Sequence, residues 1–286
     1  MTFDQQLQLL VQSALLEDIG NGDHSTLSCI PPGKKGKAVL KIKQDGVLAG
    51  LAVAEKIFRM QDPDAVFRSF KQDGEIIQQG EKAFEVSTSI HTILSCERLV
   101  LNCMQRMSGI ATLTKKYTDL LKGYHTRLLD TRKTTPNFRL LEKEAVRIGG
   151  GINHRFGLYD MIMLKDNHID YAGGIVQAIN KAHAYLQDKA LSLKIEVETR
   201  TLDDVQTVCS MGKDKVFRIM LDNFSPTQVA EAVKLINGQF ETEASGGINL
   251  TTIQSYAATG VDFVSVGGLI HQAQSLDLSL KAVVAD

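Results

Sequence analysis

The chain has 286 residues, 43% of them hydrophobic, and its 32 Lys and Arg are matched by 33 Asp and Glu. That balance excludes a molecule-wide field for recruiting nucleic acid or an anionic membrane, so any charged site has to be local. No apolar run approaches the ~20 residues of a membrane helix. The N-terminal stretch "MTFDQQLQLLVQSALLEDIG" lacks the basic start and apolar middle of a signal peptide. None of the four cysteines (Cys29, Cys96, Cys103, Cys209) forms a CxxC pair, which argues against structural zinc and for a reduced, cytoplasmic protein.

Residues 4–18 carry Leu7, Leu10, Val11, Ala14 and Leu15 at helical spacing, and the glycines of "IGNGDHST" stop that helix. "AVLKIKQDGVLAG" alternates apolar and polar residues before a turn and predicts strand. "LAVAEKIFRM" predicts a short helix, "AVFRSFKQDGEIIQQGEKAFEVSTS" more strand with Asp-Gly and Gln-Gly turns, and Ile90 to Lys122 one long helix. Strands segregated from helices make the first third an α+β unit.

Beyond Tyr124 the pattern changes. The short runs "RLLD", "MIMLK", "LKIEVE", "FRIMLD", "FETEAS" and "DFVSVGG" alternate with helical stretches at Arg139–Ile148, Tyr171–Leu186, Leu202–Ser210, Pro226–Ile236 and Leu250–Ala258. Such alternation predicts βαβ units on a parallel sheet. Six strands are legible rather than eight, which predicts either an incomplete β/α barrel or one with strands hidden in the sequence.

Each run ends in charge or glycine. Leu129 leads to Asp130, Thr131, Arg132 and Lys133, and Leu164 leads to Lys165. The later runs end at Glu198, at Asp222, at Ser245, Gly246 and Gly247, and at Ser265, Gly267 and Gly268. In a parallel barrel the C-terminal strand ends share one rim, and that rim carries the active site. Arg132, Lys133, Arg155 and Lys165 are therefore expected on its cationic side, Glu198 and Asp222 on its anionic side. A single Lys or Arg past a strand is usually a solvated loop residue, but six furnished strand ends point to a site. Glu196 shares a strand face with Glu198 and is expected to pair with a barrel neighbour. "SGGI" and "SVGGLI" resemble turns where phosphate meets backbone N–H groups. In "DNHID", Asp166, His168 and Asp170 lack a second His cluster, so His168 and Asn167 are expected to organise the rim rather than bind metal. Arginine suits planar carboxylates and lysine suits phosphate. The substrate class is a small, highly anionic molecule: a sugar phosphate, a diphosphate or a dicarboxylic acid.

Eight stretches, "ALLEDIGNGDHST", "ERLVLNCMQRMSGIAT", "DTRKTTPNFRLLEKEAVRIGGGINHRFGLYD", "MLKDNHI", "IEVE", "LDNF", "ASGGI" and "SVGGL", together resemble the quinolinate phosphoribosyltransferase family, in order and over nearly the whole chain. The resemblance implies a type II phosphoribosyltransferase: an N-terminal α+β sandwich domain over residues 1–112, joined by residues 270–286, and an open β/α barrel over residues 113–269. It implies quinolinate and phosphoribosyl pyrophosphate as substrates, with Mg²⁺, giving nicotinate mononucleotide, pyrophosphate and CO₂ in NAD biosynthesis. By motif, Arg98, Arg132, Lys133, His154, Arg155 and Lys165 form the cationic pocket. Lys133, Glu198 and Asp222 are the catalytic candidates, with Glu198 and Asp222 near ribose and metal. Ser245 to Gly247 and Ser265, Gly267 and Gly268 are the phosphate turns. The resemblance also implies a homodimer or a hexamer built from dimers, with Arg98 donated across the interface. Two alternatives stay open: a related pyrophosphorylase of molybdenum-uptake operons, and a barrel isomerase or aldolase acting on a sugar phosphate.

Overall fold

The computed structural model describes residues 1–283. In chain order the elements are α1 (Phe3–Ile19), α2 (His24–Cys29), β1 (Lys35–Ile42), β2 (Gly46–Val47), α3 (Leu51–Gln61), β3 (Val66–Ser69), β4 (Ile76–Ile77), β5 (Lys82–Ser89) and α4 (Ile90–Leu120). Then come β6 (Arg127–Leu129), α5 (Arg139–Ile148), β7 (Ile162–Leu164), α6 (Asp166–Ala172), α7 (Ile175–Asp188), β8 (Ile195–Thr199) and α8 (Leu202–Met211). The chain finishes with β9 (Arg218–Asp222), α9 (Pro226–Ile236), β10 (Glu241–Ser245), α10 (Ile253–Ala257), β11 (Phe263–Ser265), α11 (Gly268–His271) and β12 (Leu278–Val283). They form two compact units, one of residues 1–115, 134–150 and 269 onward, the other of residues 116–133 and 151–268.

The first unit is built on an antiparallel sheet in the order β12-β1-β5-β3. Leu40 and Ile42 pair with Leu280 and Leu278, so the last described strand closes the edge of the first. Phe58, Phe67 and Phe84 pack ring on ring beside that sheet. α4 buries Cys96, Val100, Cys103, Met104, Met107, Ile110 and Ala111, which recur at the i+3, i+4 and i+7 positions of one helix face. Helix α5 was expected to be a barrel helix, yet it groups with this unit. The cause is Glu142, fully buried, which accepts from Arg106 Nε and Nη2 of α4 at 3.0 and 2.9 Å and from the Thr135 N–H at 2.7 Å. Gly149 follows because a Cβ there would strike the Ala111 carbonyl.

The second unit is a six-stranded sheet, all parallel, in the order β6-β11-β10-β9-β8-β7. Consecutive strands are neighbours from β7 to β11, and the first strand, β6, pairs with the last. The seam lies between β6 and β7, where Ile152 makes a parallel bridge to Leu129. Six strands with one seam resolve the strand count that the sequence leaves open: the barrel is incomplete. The helix expected over Tyr171–Leu186 is two helices, since Gly173 and Gly174 take φ of 94° and 122° and break the ladder. No described helix is long and apolar enough to cross a membrane.

Candidate active site

Side chains alternate across a strand, so Glu196 and Glu198 of β8, Arg218, Met220 and Asp222 of β9, and Glu241, Glu243 and Ser245 of β10 share one face. The opposite face carries Ile195, Val197, Ile219, Leu221 and Ala244, all buried. The charged face is the inner one. His154, beside the seam, puts Nε2 3.0 Å from Glu196 and 3.3 Å from Glu243. These carboxylates sit on β8 and β10, and one ring reaches both only across the inside of a curled sheet.

The inside is layered by charge. At the strand starts, the Arg127 and Arg218 guanidinium groups lie 4.8 and 4.3 Å from the Phe263 ring centre. In the middle, Arg218 Nη1 stands 3.0 Å from Glu243 and 3.9 Å from Glu196, both fully buried. Burial opposes an imidazolium at His154, but the two carboxylates outweigh it and lift its pKa to about 9. Burial, then the Glu243 charge, raises Glu196 to about 7. Glu243 is pulled below its ordinary value: burial opposes this, and His154, Arg218 and the Ser265 hydroxyl prevail. His154 Nδ1 accepts the Arg155 N–H, which favours a proton on Nε2 alone. Arg218 also donates to Glu241 at 2.7 Å, so three carboxylates share its one charge, and the His154–Glu196 contact keeps a proton at neutral pH. His154, Glu196 and Glu243 could in principle ligate a metal. Arg218 already supplies the positive charge that a cation would bring.

At the strand ends lies the rim. Lys165 Nζ donates to Glu198 Oε2 at 2.9 Å, and the Asp166 N–H reaches the other Glu198 oxygen at 3.3 Å. Asp222 is half-buried; Ser245 Oγ donates to its Oδ1 at 2.5 Å and Asn223 Nδ2 to its Oδ2 at 2.7 Å. Gly246, at φ 94°, packs on Asn223, where a Cβ would collide with the amide oxygen. Gly247, at φ 65°, faces open space. Across the rim, burial and the neighbouring Arg132 charge hold the Arg155 guanidinium below its ordinary pKa. Its Nη1 donates to the Met161 carbonyl at 3.2 Å. Lys133 is exposed, its N–H donating to the Thr131 hydroxyl.

The structure therefore brings together Lys165 with Glu198, Arg132 with Arg155, and Asp222 with Ser245. His154 is turned inward, and the Ser265 hydroxyl serves Glu243. Gly267 and Gly268 lead into α11, where Gly268 is buried. Arg98 lies in the other unit, exposed on α4. His168 accepts the Lys165 N–H at 3.1 Å, and Asp170 pairs with Arg200, so "DNHID" is helix-capping and surface chemistry. Sequence reasoning missed Arg218, Glu243 and Asn223. Glutamates two apart in β10 were the available signal for Glu243, and a charge at each end of β9 for Arg218.

A one-seam β/α barrel with a charged interior and a cationic rim, carried with an antiparallel α/β unit, is the type II phosphoribosyltransferase architecture. The model of the "Quinolinate phosphoribosyl transferase, C-terminal domain" matches residues 110–281, and that of the N-terminal domain matches residues 23–108. The chain is 45% identical to the chloroplastic "Nicotinate-nucleotide pyrophosphorylase [carboxylating]" of Arabidopsis thaliana, over 98% of this chain and 83% of that protein. A "probable nicotinate-nucleotide pyrophosphorylase [carboxylating]" of Bacillus subtilis is 40% identical over 98% of this chain and 95% of its own length. The crystal structure of NadC from Streptococcus pyogenes superposes with a TM-score of 0.91 at 40% identity, covering 100% of this chain and 99% of that one. The chain belongs to the quinolinate phosphoribosyltransferase family.

Proposed function

We propose that this chain is an enzyme that transfers the phosphoribosyl group of phosphoribosyl pyrophosphate to quinolinate, with loss of CO₂, to give nicotinate mononucleotide and pyrophosphate for NAD biosynthesis. The observation that carries the reading is the rim itself, where Lys165 meets Glu198, Asp222 is held by Ser245 and Asn223, and the Arg155 guanidinium is fixed on the Met161 carbonyl. An arginine fork and a lysine at one rim offer a planar dicarboxylate matching donors. The family relationship supports the same substrates and does not favour the molybdenum-operon pyrophosphorylase or the sugar-phosphate isomerase or aldolase.

Arg132, Lys133, Arg155 and Lys165 neutralise the ring carboxylates and phosphate and so orient the pyridine nitrogen toward the anomeric carbon. As pyrophosphate leaves, the ribose resembles an oxocarbenium ion, and Asp222 faces that positive charge. Asp222 meets only neutral donors, Ser245 and Asn223, so its own charge stays available to ribose or a cation. Glu198 is already countered by Lys165, so its carboxylate becomes available only as Lys165 turns to substrate. Once alkylated, the ring nitrogen is a cationic electron sink: the adjacent carboxylate departs as CO₂, and the electron pair it leaves on the ring carbon takes a proton from water. No covalent nucleophile is required.

The donor set fits a hard cation shared with substrate phosphates, which takes one or two protein carboxylates. Asp222 would hold it, with Glu198 second, and Mg²⁺ bound with the pyrophosphate would supply charge neutralisation there. The setting in our reading is cytoplasmic and the working form a homodimer or a hexamer of dimers, with Arg98 donated to the partner's pocket. Radiolabelled CO₂ release from carboxyl-labelled quinolinate, dependent on phosphoribosyl pyrophosphate, tests the whole reading. No release, or comparable turnover of nicotinate, sinks it.

A further inference from the structure

The charged cluster in the middle of the barrel lies under the rim and takes no part in the steps above. His154 is tied at three points. Its N–H donates to Asp130 Oδ1 at 2.8 Å, its Nδ1 accepts the Arg155 N–H at 2.7 Å, and its Nε2 faces Glu196 and Glu243 at 3.0 and 3.3 Å. Both ring nitrogens are thus engaged, one with the barrel interior and one with the backbone of residue 155. The ring is a link between the buried carboxylates and Arg155. We infer that Glu196 and Glu243 are positioning residues for substrate binding, holding the His154 ring and through it the residue-155 backbone from which the Arg155 guanidinium is presented at the rim. This rests on the proposed role of Arg155 in taking a substrate carboxylate. Packing alone does not account for the cluster, since well-fitted apolar residues replace buried ion pairs with little cost to stability. Close charge contacts to one ring do account for it. They fix which nitrogen faces where, and Arg218 offsets the repulsion between the two carboxylates.

The test uses Glu196→Gln and Glu243→Gln, which keep shape and delete charge. In each, the quinolinate Kd read by calorimetry should rise about tenfold, the scale of a slightly misplaced binding group, while affinity for phosphoribosyl pyrophosphate holds. The decisive comparison adds Arg155→Ala. If the carboxylates act through Arg155, Glu243→Gln costs nothing more once Arg155 is gone; additive losses overturn the inference. The ring is read directly by nitrogen NMR of labelled histidine, where the His154 signals should move in both Gln variants. Unmoved signals also overturn it. If the Gln variants do not fold, Glu243→Asp keeps the charge and withdraws it by one methylene, with the same pattern expected at smaller amplitude and normal binding counting against the inference. Failure of the substrate reading is recognised separately. A wild-type protein that binds no quinolinate refutes the proposed function, while the His154 signals still decide whether the carboxylates hold the ring.

Discussion

Asp222 and Glu198 are both rim carboxylates, and their neighbours give them different states. Glu198 is buried and countered by Lys165; Asp222 is half-buried and held by an amide and a hydroxyl. Asn223 holds Asp222 from a left-handed conformation, φ 60°, which asparagine tolerates at little cost. Asn223→Gly keeps that backbone and removes only the amide. Turnover is expected to fall by about one to two orders of magnitude, the scale of one hydrogen bond to a charged group, with the melting temperature nearly unchanged. Steady-state kinetics and a thermal melt check both halves. Asp222→Asn, which deletes charge at the developing cation, should cost about 10²–10³ in turnover and leave quinolinate affinity by calorimetry largely intact. Lys165→Ala is expected to abolish turnover while circular dichroism stays native. It also leaves Glu198 without its cation, but with Lys165 half in solvent the stability loss should stay near 1 kcal/mol.

Strands β8, β9 and β10 carry their charges inward, and this makes the barrel's stability depend on pH. The folded protein raises His154 from 6.5 to about 9, so it binds that proton more tightly than the unfolded chain does. The resulting stability is full below pH 6.5 and is lost as pH rises through 9. Glu196, raised from 4.5 to about 7, acts with the same sign over its own window. Glu243, lowered, acts oppositely and loses its contribution as pH falls. The melting temperature is therefore expected to drop by several degrees between pH 6.5 and 9, and to drop less in His154→Gln. A flat wild-type profile over that window would remove the cluster from the energetics. The same strands read in sequence as ordinary alternation, "IEVET" and "ETEAS", which normally means polar outward to water. Alternation fixes that two faces differ, not which is inside, and here both faces are buried.

For the whole molecule, Arg98 is the residue whose place decides how many chains make a site. It is exposed on α4 in the first unit, whereas the other cationic candidates lie in the barrel unit. If one subunit's α4 completes its partner's pocket, Arg98→Ala and Lys165→Ala homodimers should each be inactive. In their heterodimer one site carries both lesions and the other carries neither. Mixing with subunit exchange is expected to restore activity toward half of wild type per heterodimer. Absence of recovery with demonstrated exchange would return Arg98 to its own chain's site or to none.

Local physics wrote much of this protein into its sequence. Helical spacing located α1, α3, α4, α5, α8 and α9; short apolar runs located every barrel strand; and charge or glycine at six strand ends located the rim. Each of those signals is carried by residues close along the chain. Tertiary structure decided what depends on distant partners. It placed the seam at Ile152, because register around a curled sheet is a property of all six strands. It placed α5 with the first unit, because Arg106 and Glu142 meet only once α4 and α5 are packed. It turned His154 inward, because Glu196 and Glu243 come from strands separated by β9, and only closure of the sheet brings their charges to one ring.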